Sequence, residues 1–409
     1  MPSFRALAQR HAPLRAHVAD GHIDFGDADA VRALTAAMLA DLGVRAAVPR
    51  GRLCPTIPNR QSYIEWIAAL VDTPRARGLD VGTGSIAVYC ALACALHPEW
   101  TMVGTDTDPD ALDGANAMLA ATAAAGDPRG ITTRIAVRAG GTDLIPHEPF
   151  DFCVCNPPFY ADAAERAQCA ALKTTPHAHA PAADAELYTP GGEVAFVSRL
   201  IAESRHRDVT WTSAMLGRLS SVGALVRRLR REGPSNYALA ELAHGKTRRW
   251  AIAWSHGGRR LPDRLARPHS RALARWLPPS NERTLGAPMA SADAVHAWLA
   301  SEPTLPRECA ALAPRADGVE VCIYDKCWMR GARRQRARVG AAAPAARAAP
   351  LLAVHVTPAM QCTWTFGHER VLFDSLSAHL ATRRRAHVPP AQPACPSACP
   401  ARGGPRRHS

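Results

Sequence analysis

The strongest chemical signal in the chain is the run Asp151-Phe152-Cys153-Val154-Cys155-Asn156-Pro157-Pro158-Phe159-Tyr160. An apolar strand-like stretch enters an asparagine, two prolines and an aromatic. Pro157 and Pro158 fix the backbone, so the Asn156 amide oxygen and the Pro157 carbonyl can converge on one amino group. Each would accept a hydrogen bond from that nitrogen and orient its lone pair toward an electrophile. Phe159 can stack on a planar base or amide. An amine that attacks an already activated methyl group needs no strong general base, so catalysis would rest on positioning and electrostatics.

A second constellation lies upstream. Leu79-Asp80-Val81-Gly82-Thr83-Gly84 is followed, 22 residues after Gly84, by Asp106 at the end of another apolar run. Glycines at a strand-to-helix turn let backbone approach a ligand closely, and an acidic residue ending the next strand can accept hydrogen bonds from ribose hydroxyls. Ser85 and Ile86 stand where a dinucleotide fingerprint would carry its third glycine, which favours a smaller nucleoside ligand, S-adenosylmethionine. The two constellations together predict a class I methyltransferase acting on a planar amino nitrogen.

The elements that must position these residues are legible around them. Strands are predicted at 78–81, 101–105, 133–137 and 150–155, with helices at 85–96 and 109–125, the latter opened by Asp108. Such alternation implies a mostly parallel twisted sheet in an α/β Rossmann-like fold. Helical periodicity over 31–42 and 64–71 predicts an N-terminal helical extension, residues 1–70. The methyltransferase domain is predicted over 71–256, with a mobile loop or lid at 161–190, helices at 194–202 and 221–231, and strands at 209–213 and 250–254. Residues 257–317 read as a linker with one short helix near 292–300. A small basic α+β module is predicted over 318–385 (strands at 319–324, 351–356 and 364–366, a helix at 369–382), with 330–347 disordered inside it. The Pro- and Arg-rich residues 386–409 read as a disordered tail.

Charge divides the chain. Residues 1–256 hold 26 basic and 26 acidic side chains, whereas residues 257–409 hold 23 basic and 10 acidic, so the whole net charge of +13 belongs to the C-terminal part. One-sided charge of this kind suits a polyanion such as RNA. No apolar run approaches a membrane span, and the first 15 residues lack a signal-peptide core. Twelve scattered cysteines without paired CxxC spacing fit a reducing compartment, nucleus or cytosol, and predict no metal site. His177 and His179 lack a third partner at ligand spacing and read as solvated loop. Trp364 and Phe366 read as core.

The sequence resembles the methyltransferase-like 16 family of RNA adenine-N6 methyltransferases, whose bacterial relatives modify ribosomal RNA. The resemblance covers roughly residues 20–255. It rests on Asp29-Ala30-Val31-Arg32-Ala33-Leu34-Thr35, on Leu53-Cys54-Pro55-Thr56-Ile57-Pro58-Asn59-Arg60, on Tyr63-Ile64-Glu65-Trp66 and on the two constellations above. Further matches are Gly191 to Val197, Met215-Leu216-Gly217, and Gly245 to Trp254. It implies methylation of an adenosine in structured RNA, with U6 spliceosomal RNA as the eukaryotic substrate, and a nuclear location. It also implies that Arg60 meets the cofactor carboxylate, that Asp80, Gly82, Gly84 and Thr142 line the cofactor site, and that Asp106 holds the ribose. Asn156, Pro157 and Pro158 would hold the target amino group with Phe159 against the base, and Lys246, Arg248 and Arg249 would contact RNA phosphates.

Three departures stand out. Asp106 is shorter than the family's usual glutamate. Gly140-Gly141 replaces a basic loop, so gating by that loop is not implied here. The segment 161–190 carries only Arg166 and Lys173 as cations. Two other readings use similar residues. A protein glutamine-N5 methyltransferase has a related amide clamp, but Phe159 and the basic C-terminal part argue against it. A non-catalytic RNA-binding scaffold would be expected to have an eroded Asn156 motif, and the motif is intact.

Overall fold

The computed structural model describes residues 3–171, 182–245, 247–339 and 349–387. In chain order the elements are α1 (Phe4–Arg10), α2 (Ala12–Arg15), β1 (Val18–Ala19), β2 (His22–Ile23), α3 (Ala28–Asp41), α4 (Ile57–Val71), β3 (Arg77–Val81), α5 (Val88–Leu96), β4 (Thr101–Asp106), α6 (Pro109–Ala124), β5 (Ile135–Ala139) and β6 (Phe150–Cys155). They continue with α7 (Ala163–Ala171), α8 (Asp184–Leu187), α9 (Gly192–Ser204), β7 (Val209–Leu216), α10 (Leu219–Glu232), β8 (Tyr237–His244), β9 (Thr247–Trp254) and α11 (Asp263–Ala266). The last are β10 (Glu282–Thr284), α12 (Ala292–Ala300), β11 (Ala310–Arg315), β12 (Gly318–Ile323), α13 (Arg330–Val339), β13 (Leu352–Val356), β14 (Gln361–Gly367) and α14 (Arg370–His387).

Two compact units result, one of residues 1–282 with 364–368, the other of 283–363 with 369–409. In the first, seven strands run in the order β5-β4-β3-β6-β7-β9-β8. The pairs among β5, β4, β3, β6 and β7 are parallel, while β9 runs antiparallel to both β7 and β8. Side chains alternate across the sheet as strand geometry requires. Phe152 and Val154 of β6 pack with Met102 and the α5 face, whereas Cys153 and Cys155 pack with Leu79, Val81 and the α9–α10 face. Strand order reverses beside β3, which opens a crevice at the carboxyl ends of β3, β4 and β6.

Local signals explain the elements that form the crevice. Asp108 caps α6 by accepting from the Asp110 N–H at 3.0 Å, with Pro109 at the first helical position. Gly82 and Gly84 take φ of 73° and 68°, values open to glycine, and a Cβ at either would meet nothing within 4 Å. The turn is therefore glycine by conformation, and it faces open space.

Several expectations are corrected. The helix expected at 64–71 begins at Ile57, and the third strand covers Ile135–Ala139 instead of 133–137. The N-terminal extension includes the β1–β2 hairpin. The lid is not wholly irregular, since α7 and α8 lie within it. Strand β8 replaces what had no predicted element, because its pairing with β9 outweighs an Ala/Leu-rich composition. The expected linker 257–317 is instead structured, and the division between units falls at 282. The segment expected to be disordered from Arg330 begins as α13, and α14 runs past 385 to His387.

In the second unit β12 pairs antiparallel with both β11 and β13. Trp364, in the first unit, is buried, as expected of a core residue. No helix among the described residues is long and apolar enough to cross a membrane.

Candidate active site

A pocket opens at the carboxyl ends of β3, β4 and β6. Its lining includes Arg60, Gly82, Gly84, Asp106, Asn156 and Pro158, so residues from four separate stretches of sequence converge there. Gly82 and Thr83 donate their N–H groups to the Thr105 carbonyl at 2.9 and 3.0 Å, fixing the glycine turn to the end of β4. Asp106 accepts from Gly84 N–H at 2.9 Å and from Asp108 N–H at 3.0 Å, which holds its carboxylate at the pocket wall.

Asp80 sits differently. It is fully buried beneath the turn, where Oδ2 accepts the Thr83 hydroxyl at 2.7 Å, and it is absent from the pocket wall. Burial pushes its carboxyl up to about 7. Its place in the structure is under the glycine turn, as a support for Thr83.

Arg60 is 6 % exposed, donates to the Met215 sulfur at 3.3 Å, and lies 5.9 Å from the centre of the Tyr89 ring. Among the described residues it has no carboxylate partner, although it faces the pocket. An isolated buried cation is costly, so a negatively charged ligand group is the natural complement.

Asn156, also in the lining, follows directly on β6. Its Oδ1 is buried and has no hydrogen-bond partner among the described residues. A buried amide oxygen without a partner is unusual and calls for a donor, such as the amino group of a substrate. Pro157 is buried beside it, Pro158 lines the pocket, and the Phe159 ring packs against Gly217, where a Cβ would stand 2.9 Å from Cδ1.

Thr142 is not among the lining residues, although Gly140, Gly141, Asp143 and Leu144 are; its carbonyl accepts from Arg199. Lys246 lies outside the described residues, as do Lys173, His177 and His179. Arg248 is exposed and pairs with Glu241 at 3.0 Å. Arg249 instead is half-buried, and burial together with the nearby Arg60 charge holds its guanidinium below its ordinary value. No cluster of metal-ligating side chains occurs among the described residues.

Sequence reasoning passed over three residues of this region. Arg52 lines the pocket and pairs with Asp108, and with Asp110 at 3.4 Å. Glu186 of α8 accepts from Leu53 N–H at 2.9 Å, joining α8 to the loop that lines the pocket. Arg218 contacts the Phe159 carbonyl. Arg52 adjoins the Leu53-Cys54-Pro55 motif, which was a usable signal; the other two make contacts distant in sequence.

Residues 2–257 match a family model described as RNA methyltransferase. The U6 small nuclear RNA (adenine-(43)-N(6))-methyltransferase of Schizosaccharomyces pombe is 35% identical over 274 residues, covering 64% of this chain and 69% of its own length. The RNA N(6)-adenosine-methyltransferase METTL16 of Homo sapiens is 31% identical over 279 residues, covering 62% of this chain and 48% of its own length. The hMettl16 catalytic domain solved in complex with MAT2A 3'UTR hairpin 1 is similar with a TM-score of 0.56 and 31% identity, over 62% of this chain and 91% of that one. The chain thus spans about two thirds of the first relative and about half of the second. The family match extends over the whole of the pocket and its Asn-Pro-Pro-Phe loop, and the chain belongs to the methyltransferase-like 16 family of RNA methyltransferases.

Proposed function

We propose that the protein transfers a methyl group from S-adenosylmethionine to the N6 amino group of an adenosine in structured RNA, with U6 spliceosomal RNA as the substrate. The observation that carries this reading is the buried Oδ1 of Asn156, which has no hydrogen-bond partner among the described residues, in a pocket also lined by the glycine turn, by Asp106 and by Arg60, which has no carboxylate partner among the described residues. The names of the relatives and the RNA hairpin in the similar structure support the substrate class. Action on a spliceosomal RNA would take place in the nucleus.

The residues fit the cofactor. Arg60 would meet its carboxylate, Gly82 and Gly84 would let its body approach the backbone, and Asp106 would accept from its ribose hydroxyls. When bound, the cofactor supplies a methyl group on a sulfonium, already activated toward a nucleophile. The protein's share is then to hold the amine. Asn156 Oδ1 and the Pro157 carbonyl accept one N–H each, which draws the nitrogen lone pair out of conjugation with the adenine ring. Phe159 lies in the same loop and would pack against the base. The proton is lost to solvent after transfer, so no side chain must hold it in advance.

Residues 257–409, with 23 basic and 10 acidic side chains, would add phosphate contacts and salt-dependent affinity. A peptide glutamine substrate needs no such surface, and the matched family is described as acting on RNA.

The test is methyl transfer from radiolabelled S-adenosylmethionine to unmodified small RNA, followed by nucleoside digestion. Label in N6-methyladenosine, chiefly in U6 RNA, is expected. Label in protein alone would overturn the reading.

A further inference from the structure

The loop that would grip the base does not hold itself. After Pro158 the chain runs through residues 159–162 before α7 begins, and its polar groups are met by Glu165 of α7, by the backbone of Leu187 and Thr189, and by Arg218. Arg218, the residue just before α10, donates from Nη2 to the Phe159 carbonyl and from Nη1 to Glu165 Oε1 at 2.5 Å. Its guanidinium also lies 5.7 Å from the centre of the Tyr160 ring. Glu165 Oε2 accepts from Ala161 N–H at 2.6 Å, so the same ion pair closes on both sides of Tyr160.

Behind the guanidinium stands Glu193 in the first turn of α9. It is 1 % exposed, its Oε2 accepts from Gly217 N–H at 2.8 Å, and its Oε1 lies 3.8 Å from Arg218 Nε. Gly217 is the residue against which the Phe159 ring packs, with only 2.9 Å available to a Cβ. A carboxylate this deep is retained only where charge and hydrogen bonds compensate it. Here part of the compensation comes from the two residues, 217 and 218, that touch Phe159, beside Ser221 of α10. Desolvation raises the Glu193 carboxyl, and Ser221, Gly217 and Arg218 oppose that rise.

We propose that Arg218, braced by Glu193 and Glu165, is the positioning residue of the base clamp, fixing the Phe159 carbonyl from outside so that the Phe159 ring and the Asn156–Pro157 acceptors keep one geometry. Neither Arg218 nor Glu193 lines the cofactor pocket. Their effect therefore falls on the methyl-transfer step and not on cofactor affinity. The inference rests on the adenosine-N6 reading for its catalytic consequence, while the clamp itself can be observed without any substrate.

The experiment uses the full chain as wild type, Arg218→Met and Arg218→Lys, with two readouts. The first is hydrogen exchange of the 159–165 and 217–219 amides in the free protein. The second is steady-state methyl transfer to U6 RNA. Arg218→Met should speed exchange in both segments while leaving the 82–84 turn protected. It should also lower kcat on the order of 100-fold, the scale of a misplacement near 1 Å, with KM for S-adenosylmethionine within about threefold. Arg218→Lys, which keeps the charge but not the fork, should recover part of kcat. Unchanged exchange in 159–165, or a kcat within about threefold of wild type for Arg218→Met, overturns the proposal. So does a loss that falls on cofactor KM alone. If wild type methylates no RNA, the substrate reading fails, and the exchange of the 159–165 amides still decides whether Arg218 holds the loop.

Discussion

The Gly84 N–H donates to Oδ2 of Asp106 at 2.9 Å, so the turn after β3 orients the carboxylate that ends β4. The two residues lie 22 positions apart and act as one unit: the glycine needs its left-handed φ to point that N–H, and the carboxylate needs the N–H to keep one face toward the pocket. Asp106→Ala removes the carboxylate proposed to accept from the ribose and takes away the acceptor of the Gly84 amide. A charged hydrogen bond is worth about 1.5–3 kcal/mol, so affinity for S-adenosylhomocysteine should fall roughly 10- to 100-fold by calorimetric titration. Binding within about twofold of wild type would remove Asp106 from the cofactor site.

Asn156→Ala takes away the amide acceptor without touching the glycine turn or Arg60. Methyl transfer should drop by about 100- to 1,000-fold, the usual loss for one preorganised polar group. RNA affinity, measured by filter binding, should stay within about threefold. A variant that turned over normally would free the buried oxygen for some other purpose.

Much of this was readable beforehand, and the limits were physical. Helix α6 and strand β6 announce themselves locally, through Asp108-Pro109 and through an apolar run ending at Asn-Pro-Pro. Strand β8 does not: Tyr237-Ala238-Leu239-Ala240-Glu241-Leu242 suits a helix by composition, and only its eight-residue pairing with β9 makes it a strand. Helix α13 has too few apolar residues to be foreseen. In the site, Asn156, Gly82 and Gly84 belong to contiguous motifs. Arg218, Glu193 and Glu186 each reach the site through a contact distant in sequence, such as Gly217–Glu193 over 24 residues and Leu53–Glu186 over 133, and spacing alone carries no trace of such contacts.

Asp80 gives a pH signature. Burial raises its carboxyl to about 7, whereas in the unfolded chain it titrates near the ordinary value of about 4. Between those limits the folded state keeps a proton that the unfolded state releases, so this group's contribution to stability falls as pH rises from about 4 to about 7 and is level above that. Asp80→Asn cannot ionise and still offers Thr83 an acceptor. Its stability relative to wild type should therefore increase with pH across the window, by at most about 1.4 kcal/mol per pH unit. Urea unfolding at several pH values reads this directly, and a flat difference would show that Asp80 is not desolvated.

Neighbouring arginines on β9 should separate cleanly. Arg248 is exposed and Arg249 half-buried in the field of Arg60, Glu193 and Tyr160. Alanine at 248 should weaken RNA binding at low salt and lessen the slope of log affinity against log salt by about 1, the mark of one lost phosphate contact. Alanine at 249 should leave the slope alone and lower turnover. A slope lowered by about 1 in both variants would place both side chains on the phosphates.

Glu186 ties the lid to the pocket rim. Its Oε2 accepts from Leu53 N–H at 2.9 Å and from Ala183 N–H at 3.0 Å, and Glu186, Arg52, Leu53 and Pro55 all line the pocket. Arg52 is held chiefly by Asp108, the cap of α6, so the rim has two anchors, one at the start of α6 and one on α8. Glu186→Ala cuts the second anchor only. The loop before α4 should then sample open positions, and affinity for S-adenosylhomocysteine should fall roughly 5- to 10-fold, matching the loss of one or two hydrogen bonds of about 1 kcal/mol each. Thermal unfolding of the seven-stranded unit should hardly move, because the lost contacts lie outside its core. A variant with unchanged cofactor affinity would mean that Arg52 and Asp108 alone hold the rim; one with a lowered melting temperature would mean that α8 belongs to the core and not to a lid.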